Sequence, residues 1–231
     1  MRKNQEHNPN EALRTQLLEA ALPDIAFDGW TDAVLENACK KTGISAEEAE
    51  AALPDGIASL ALHFSSWADQ KMIVRLQKTD MTKLRVRDRI ALSVKTRLEI
   101  LTPWKQAVST ATSYLGLSPR GVQMPQIVWQ TADKIWWAAG DTATDYNHYT
   151  KRLLLSGVLT TTTLYWLNDD SDDHADTWAF LDRRIDNVLK VGRTLGNIGS
   201  FFRRDADKTA QKTKDKAGRQ TDKKRTGKKR A

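Results

Sequence analysis

The chain has 231 residues, 40% of them apolar, which is long enough and apolar enough for one generous folded domain with appendages. A single cysteine, Cys39, excludes an intramolecular disulfide. The first residues, MRKNQEHNPN, contain no apolar signal core and are not an Arg/Ser-rich transit sequence. These features predict a protein of the cytosol.

The formal net charge of +7 is concentrated at the C-terminus. Residues 203–231 contain thirteen Lys or Arg and four Asp, a net charge of +9, and leave −2 for the other 202 residues. Because the tail has almost no bulky apolar residue, we expect residues 205–231 to be disordered, like the leader 1–10. Its cations are compatible with attraction to anionic lipid or RNA and equally with a solubilising role.

Three short helices are predicted near the N-terminus. Apolar residues repeat with helical spacing as far as Pro23, which predicts the end of the first helix. Thr31 is placed to cap a second helix, and Ser45 with Glu48 forms an S-x-x-E capping box for a third. Residues 11–56 therefore have the organisation of a helix-turn-helix headpiece.

The next segment, 57–182, predicts a helical bundle and contains no alternating pattern typical of a strand. Its helices are predicted over about 57–79, 82–102, 103–116, 125–140 and 145–168. The run from Leu153 to Asn168 has 16 uncharged residues, fewer than the roughly 18 to 20 of a membrane span. We predict that this run is the central buried helix of an all-α fold.

The last predicted helix changes character at residues 183–204. Its apolar residues are flanked by arginines and lysines, as in helices that lie in a membrane interface. The residues predicted to contact the membrane are Val191, Leu195, Ile198, Phe201 and Phe202. A dimer or core helix with solvated charges is the alternative interpretation.

No pattern in the chain predicts a metal site, a cofactor or a catalytic centre. Asp141, Asp145 and His148 have a spacing that a divalent ion can use, but the two aspartates equally fit loop and N-cap positions. The sequence DDSDDHAD at 169–176 lacks the central glycine and terminal glutamate of an EF-hand, so it predicts an acidic helix-capping loop. We find no nucleophile elbow, glycine-rich phosphate loop or acid/base pair.

The headpiece has the wrong charge for DNA. Its third helix, AEEAEAALPDG, contains Glu47, Glu48, Glu50 and Asp55 and no Lys or Arg, and each acid repels a duplex. This argues against a ligand-responsive repressor, one of two alternative functions. The other, a quinone-modifying enzyme, requires a cofactor site that the sequence does not show.

Several stretches of the chain resemble two known protein families. RTQLLEAALPDIAFDGWTDAVLENACKKTGIS and HFSSWADQKM are similar to the headpiece of a TetR-type regulator. GWTDAVLENACKKTGIS, GDTATDYNHYTKR and LYWLNDDSDDHADTWAFLDRRID together resemble the lipid-binding accessory protein of coenzyme Q (ubiquinone) biosynthesis, the ninth member of the Coq series. The resemblance covers about residues 11–205, and the DxxxDxNxYTKR pattern is its most specific part.

The resemblance implies a TetR-like homodimer that does not bind DNA. It implies that an apolar pocket holds an isoprenoid lipid and that quinone precursors are presented to a ring hydroxylase, notably a di-iron enzyme. The implied partner surface around the YTKR block comprises Asp145, His148, Tyr149, Lys151 and Arg152. Many relatives have tryptophan in place of His148, so one aromatic anchor is weaker here. The resemblance implies a bacterial protein of the alphaproteobacterial type, located peripherally on the cytoplasmic face of the inner membrane.

The residues of the apolar pocket are predicted from helical phase alone. They are Trp104, Trp129, Trp136, Leu154, Val158 and Leu164. Ordinary core packing is the alternative interpretation of the same residues. A carrier of this kind has to work at the membrane, because moving a polyprenyl tail into water costs tens of kcal/mol at about 0.8 kcal/mol per CH₂ group.

Overall fold

The computed structural model describes residues 9–116, 123–141 and 146–190, and every regular element in these ranges is a helix. The helices are α1 Pro9–Asp28, α2 Asp32–Thr42, α3 Ala46–Ala52, α4 Ile57–Leu76, α5 Val86–Leu101, α6 Lys105–Gly116, α7 Met124–Ala138, α8 Tyr146–Leu167 and α9 at 175–185. The chain divides into two compact units, 1–185 and 186–231. The second is described over residues 186–190, which are helical. The predicted all-α fold is confirmed.

The helix caps of the N-terminal region agree with the sequence analysis. The Thr31 side chain accepts a hydrogen bond from the amide of Val34 at the start of α2. The Ser45 hydroxyl accepts from the Glu48 amide at 3.2 Å, and the Glu48 carboxylate accepts from the Ser45 amide at 3.0 Å. Gly43 ends α2 in the left-handed conformation that favours glycine.

The predicted end of the first helix at Pro23 is wrong, because α1 continues through this proline to Asp28. A proline inside a helix costs about 3 kcal/mol. Leu22 and Ile25 lie on either side of it and are both fully buried. Burying two such side chains contributes about 1.5 to 3 kcal/mol each, which outweighs the penalty.

The N-terminal helices and the bundle share one apolar core. Helix α1 packs against α2, α3, α4 and α6. The Trp30 indole donates a hydrogen bond to the carbonyl of Ala107 on α6 at 3.1 Å, and its ring centroid lies 5.6 Å from that of Phe64 on α4. These contacts fix α4 and α6, which form two walls of the cavity described below.

Helix α8 is not the central buried helix that its uncharged run predicts. Leu153, Leu164 and Tyr165 have 65%, 49% and 38% of their surface exposed. The uncharged residues include Gly157 and several hydroxyls, and these small side chains let one side of the helix face solvent without charges. Within the described ranges, no helix is both long enough and apolar enough to cross a membrane.

A buried histidine joins α1 to α4. His63 is 9% exposed, with its Nε2 atom 3.1 Å from the Thr15 hydroxyl and its Nδ1 atom 3.3 Å from the Ser66 hydroxyl. Burial holds the pKa of His63 below its ordinary value, and the nearby Arg14 guanidinium lowers it further. The folded protein therefore favours the neutral imidazole.

We expect His63 to make the protein sensitive to mild acid. Below about pH 6.5 the unfolded chain takes up a proton at this histidine while the folded protein does not, so stability falls with pH until the lowered pKa is reached. Thermal unfolding between pH 7.5 and 5.5 should show a steeper loss of Tm for the unaltered protein than for His63→Gln. Parallel pH profiles for the two proteins would contradict this.

Candidate functional site

An apolar cavity of about 160 Å³ lies among α4, α5, α6, α7 and α8. Hydrocarbon side chains from each of these helices line it, including Phe64, Leu101, Val108, Ile127 and Leu159. Phe64, Leu101 and Leu159 are themselves buried. The cavity is therefore an apolar space inside the first unit, suited to an apolar ligand.

The cavity opens on the outer face of α8. Thr160 and Leu164 both line the cavity and are both exposed to solvent. They are four residues apart and so lie on the same face of the helix. Leu153 and Gly157 precede them at the same helical phase and are also exposed. An uncharged, exposed face of α8 therefore leads from Leu153 to the mouth of the cavity.

One wall of the cavity is polar and charged. The Asp69 carboxylate on α4, 2% exposed, accepts hydrogen bonds from Arg97 Nε at 2.8 Å, Lys134 Nζ at 2.9 Å and the Thr131 hydroxyl at 3.0 Å. Arg97 also donates from Nη2 to the Ser65 hydroxyl at 2.8 Å. Arg97, Ser65 and Thr131 line the cavity. We call these five residues the Asp69 network.

Most of the six residues predicted to line a lipid pocket lie outside this cavity in the structure. Leu164 lines the cavity, whereas the other five lie outside its lining. Trp104 and Leu154 are half-buried, Val158 is in the core, and the Trp136 indole donates to the carbonyl of Lys151 at 3.0 Å. The Trp129 ring packs near Tyr149, with a centroid distance of 6.3 Å. The structure thus gives the cavity a lining drawn mainly from other residues.

The predicted partner residues divide into an exposed group and a structural group. Tyr149 has 63% of its surface exposed, and His148 beside it is half-buried with its ring edge-on to the tyrosine at 5.2 Å. Lys151 donates to Asp141 at 2.7 Å. Asp145 lies outside the described residues, as do the predicted membrane residues Val191, Leu195, Ile198, Phe201 and Phe202.

Arg152 is buried in the structure. It is 4% exposed and donates to the carboxylates of Asp133 and Asp141 and to the carbonyl of His148. These contacts join α8 to the end of α7. Arg152 therefore holds the backbone that presents Tyr149.

Asp141 has a structural role, since it accepts from both Lys151 and Arg152. Its pairing with two cations accounts for a buried carboxylate without a metal ion. Over the described ranges, no group of three or more His, Cys, Asp or Glu side chains is arranged to hold a metal.

The acidic loop before α9 is organised by Asp169, which is 6% exposed. Its carboxylate accepts from the amides and hydroxyls of Ser171 and Thr177. Burial opposes ionisation of this carboxyl, but the four hydrogen bonds outweigh burial and hold its pKa far below the ordinary value. The loop caps the helix that follows, in agreement with the sequence analysis.

A second, open groove of about 350 Å³ lies along α2 and α3 in the N-terminal region. Its lining includes Asp32, Glu36 and Glu50. Glu47, Glu48 and Glu50 are exposed on α3. The negative charge of this surface opposes contact with DNA phosphates.

The Asp69 network is not predicted from the sequence, although one signal of it is visible there. Arg97 falls on the apolar stripe of α5, close in helical phase to Val94 and Leu98, which are 1% exposed. A charge on a buried stripe requires a partner. The sequence does not show which of the many acids provides it, because Asp69 precedes Arg97 by 28 residues on another helix.

The fold defines the class of protein. The structure is similar to a solved TetR transcriptional regulator from Nitrosomonas europaea, with a TM-score of 0.61 and 17% sequence identity, over 77% of this chain and 98% of that one. The protein has a TetR-like helical fold.

Comparison of sequences shows which family the chain resembles. The COQ9 family model matches residues 122–192, which include α7, α8 and α9. The chain is 30% identical over 209 residues to "Ubiquinone biosynthesis protein COQ9, mitochondrial" of Rattus norvegicus and 29% identical to that of Homo sapiens, in each case over 86% of this chain. Over most of its length the chain is therefore similar to COQ9-family proteins. It spans 65% of the rat protein and 64% of the human protein.

Proposed function

We propose that this protein is a non-catalytic accessory protein of ubiquinone biosynthesis. It binds an isoprenoid quinone precursor at the membrane and presents it to a ring hydroxylase. The pathway is suggested by the related proteins, which are named as ubiquinone biosynthesis proteins.

The observation that carries the proposal is the apolar cavity with its mouth on α8. Its hydrocarbon lining favours an apolar ligand over water. The exposed residues Thr160 and Leu164 give such a ligand a way in. A lipid that enters from a bilayer through this mouth never has to expose its whole tail to water.

The side chains around the cavity support binding more than reaction. The lining consists of hydrocarbon and hydroxyl groups together with Arg97, whose charge is balanced by Asp69. In this proposal the chemistry of ring hydroxylation belongs to the partner enzyme.

The proposal includes three further features. The amphipathic segment 183–204 docks on the cytoplasmic face of a bacterial inner membrane, its apolar residues on the lipid and its arginines near phosphates. The protein acts as a homodimer. The hydroxylase contacts the surface around Tyr149 and His148.

Tyr149→Ala is expected to weaken binding of the ring hydroxylase of the same organism by about thirtyfold or more. An exposed aromatic ring is typical of an interface hot spot, worth about 2 kcal/mol. Binding is measured by surface plasmon resonance, and hydroxylation of a quinone precursor in liposomes should fall in parallel.

Phe27→Ala is the matched control, because Phe27 is 91% exposed on α1 in the N-terminal region. It should leave hydroxylase affinity unchanged. Equal affinity of Tyr149→Ala and the unaltered protein would remove this surface from the proposed mechanism.

A further inference from the structure

We propose that the folded bundle has its own docking surface for an anionic lipid bilayer, formed where α4 ends, α5 begins and α7 ends. We call residues 71–89 together with Trp137 the basic end. The inference rests on the proposed function, because it takes the membrane as the place of work. It adds a second lipid contact to the one proposed for the segment 183–204.

Charge is distributed very unevenly along the first unit. Residues 71–89 contain seven Lys or Arg and two Asp, a net charge of +5. Residues 11–56 contain ten Asp or Glu and three Lys or Arg, a net charge of −7. A surface of anionic lipid attracts the first region and repels the second. The field of such a bilayer therefore turns the basic end toward the lipid and the N-terminal helices away from it.

The cations of the basic end are accessible to lipid phosphates. The side chains of Lys83 and Arg85 are 86% and 81% exposed, and Lys78 is exposed as well. Lys83 pairs with Asp80 and Arg85 with Asp88, in each case three residues away within the same turn. Ion pairs at the surface contribute little to stability. These cations can therefore exchange their carboxylates for phosphates at small cost.

Apolar side chains accompany the cations. Val74, Val86 and Trp137 have 51%, 49% and 67% of their surface exposed. Tryptophan with aliphatic side chains and Lys or Arg is the composition of surfaces that lie in a membrane interface, where the indole sits at the level of the headgroups. The valines favour a bilayer over a nucleic acid, because only the bilayer offers hydrocarbon for them to enter.

Arg89 makes the α4–α5 turn and the end of α7 one surface. Its Nε and Nη2 atoms donate to the carbonyls of Leu84 and Thr82 at 2.9 and 3.2 Å. Its Nη1 atom donates to the carbonyl of Ala139, 3.0 Å away and two residues beyond Trp137. One guanidinium thus fixes the end of α7 against the turn that contains the exposed cations.

The charges are tested by flotation of the full-length protein with vesicles of phosphatidylglycerol and phosphatidylcholine. Lys78→Glu/Lys83→Glu should lower the partition coefficient by about tenfold or more. The matched control is Lys40→Glu/Lys41→Glu, which makes the same change of charge on α2 and should lower it by less than about twofold. Circular dichroism checks that both variants fold.

Three results of this experiment would overturn the proposal. Equal loss from the two double variants, or loss from neither, would overturn the docking surface and leave lipid binding by the cavity standing. Weaker binding of Lys78→Glu/Lys83→Glu to a short RNA, with vesicle binding unchanged, would assign these cations to nucleic acid. Failure of the unaltered protein to float with either these vesicles or pure phosphatidylcholine would overturn the docking surface together with the proposed work at a membrane.

Contact with the lipid is tested by a fluorescent probe. Cys39 is the single cysteine, so Cys39→Ser gives a background in which Thr79→Cys or Asn37→Cys is labelled with a nitrobenzoxadiazole dye. Both positions are exposed, one in the basic end and the other on α2. On the anionic vesicles, a nitroxide attached to the lipid should quench the dye at 79 and leave the dye at 37 unaffected. Equal quenching at the two positions, or quenching at 37 alone, would overturn the proposal. Quenching at neither position, in a protein that still carries isoprenoid lipid, would overturn the docking surface alone.

Discussion

Asp69→Asn is expected to destabilise the protein by about 3 kcal/mol or more. Asp69 accepts from Arg97, Lys134 and Thr131 while itself almost completely buried. Removing one partner of a buried ion pair leaves a charge without compensation, which costs about 3 to 5 kcal/mol. The free energy of unfolding is measured by urea denaturation.

Asp28→Asn is the control for this substitution. Asp28 is exposed at the C-terminal end of α1, so its loss of charge should change stability by no more than about 0.5 kcal/mol. If Asp69→Asn were as stable as this control, Asp69 would not be the anchor of α4, α5 and α7, and the charged wall of the cavity would need another explanation.

Arg152→Ala should lower the free energy of unfolding by about 2 to 4 kcal/mol. The guanidinium is buried, and its loss removes one of the two cations that pair with the Asp141 carboxylate, the other being Lys151. The Asp141 side chain is 7% exposed. Breaking a buried pair is strongly destabilising, and the remaining lysine reduces the cost.

This result separates two roles for the YTKR block. If Arg152 is structural, Arg152→Ala loses hydroxylase binding together with stability, whereas Tyr149→Ala loses binding alone. Arg183→Ala is a suitable control, because Arg183 is exposed on α9. Unchanged stability of Arg152→Ala would return Arg152 to the group of direct partner contacts.

Local signals in the sequence predicted much of the fold. The Ser45 and Glu48 capping box and the Thr31 cap depend on neighbouring residues, so they were readable from spacing alone. The continuation of α1 through Pro23 is not predictable in this way, because it depends on the burial of Leu22 and Ile25 against other helices.

The cavity was harder to predict. Hydropathy showed that Leu153 to Asn168 lacks charge, but it did not show which side of α8 other helices cover. The lining depends on how five helices are rotated against one another, and the phase of a single helix does not contain that information. For the same reason helical phase predicts Trp136 and Val158 in the pocket, whereas both pack in the core.

The most direct test of the account is the lipid content of the purified protein, measured by native mass spectrometry and lipid extraction. Ala111 lines the cavity and Ser113 is exposed on the same helix, so Ala111→Phe fills the space and Ser113→Phe does not. We predict an isoprenoid quinone or its precursor on the unaltered protein and on Ser113→Phe, and its loss from Ala111→Phe. An unaltered protein without isoprenoid lipid, or equal lipid content in all three proteins, would contradict the account.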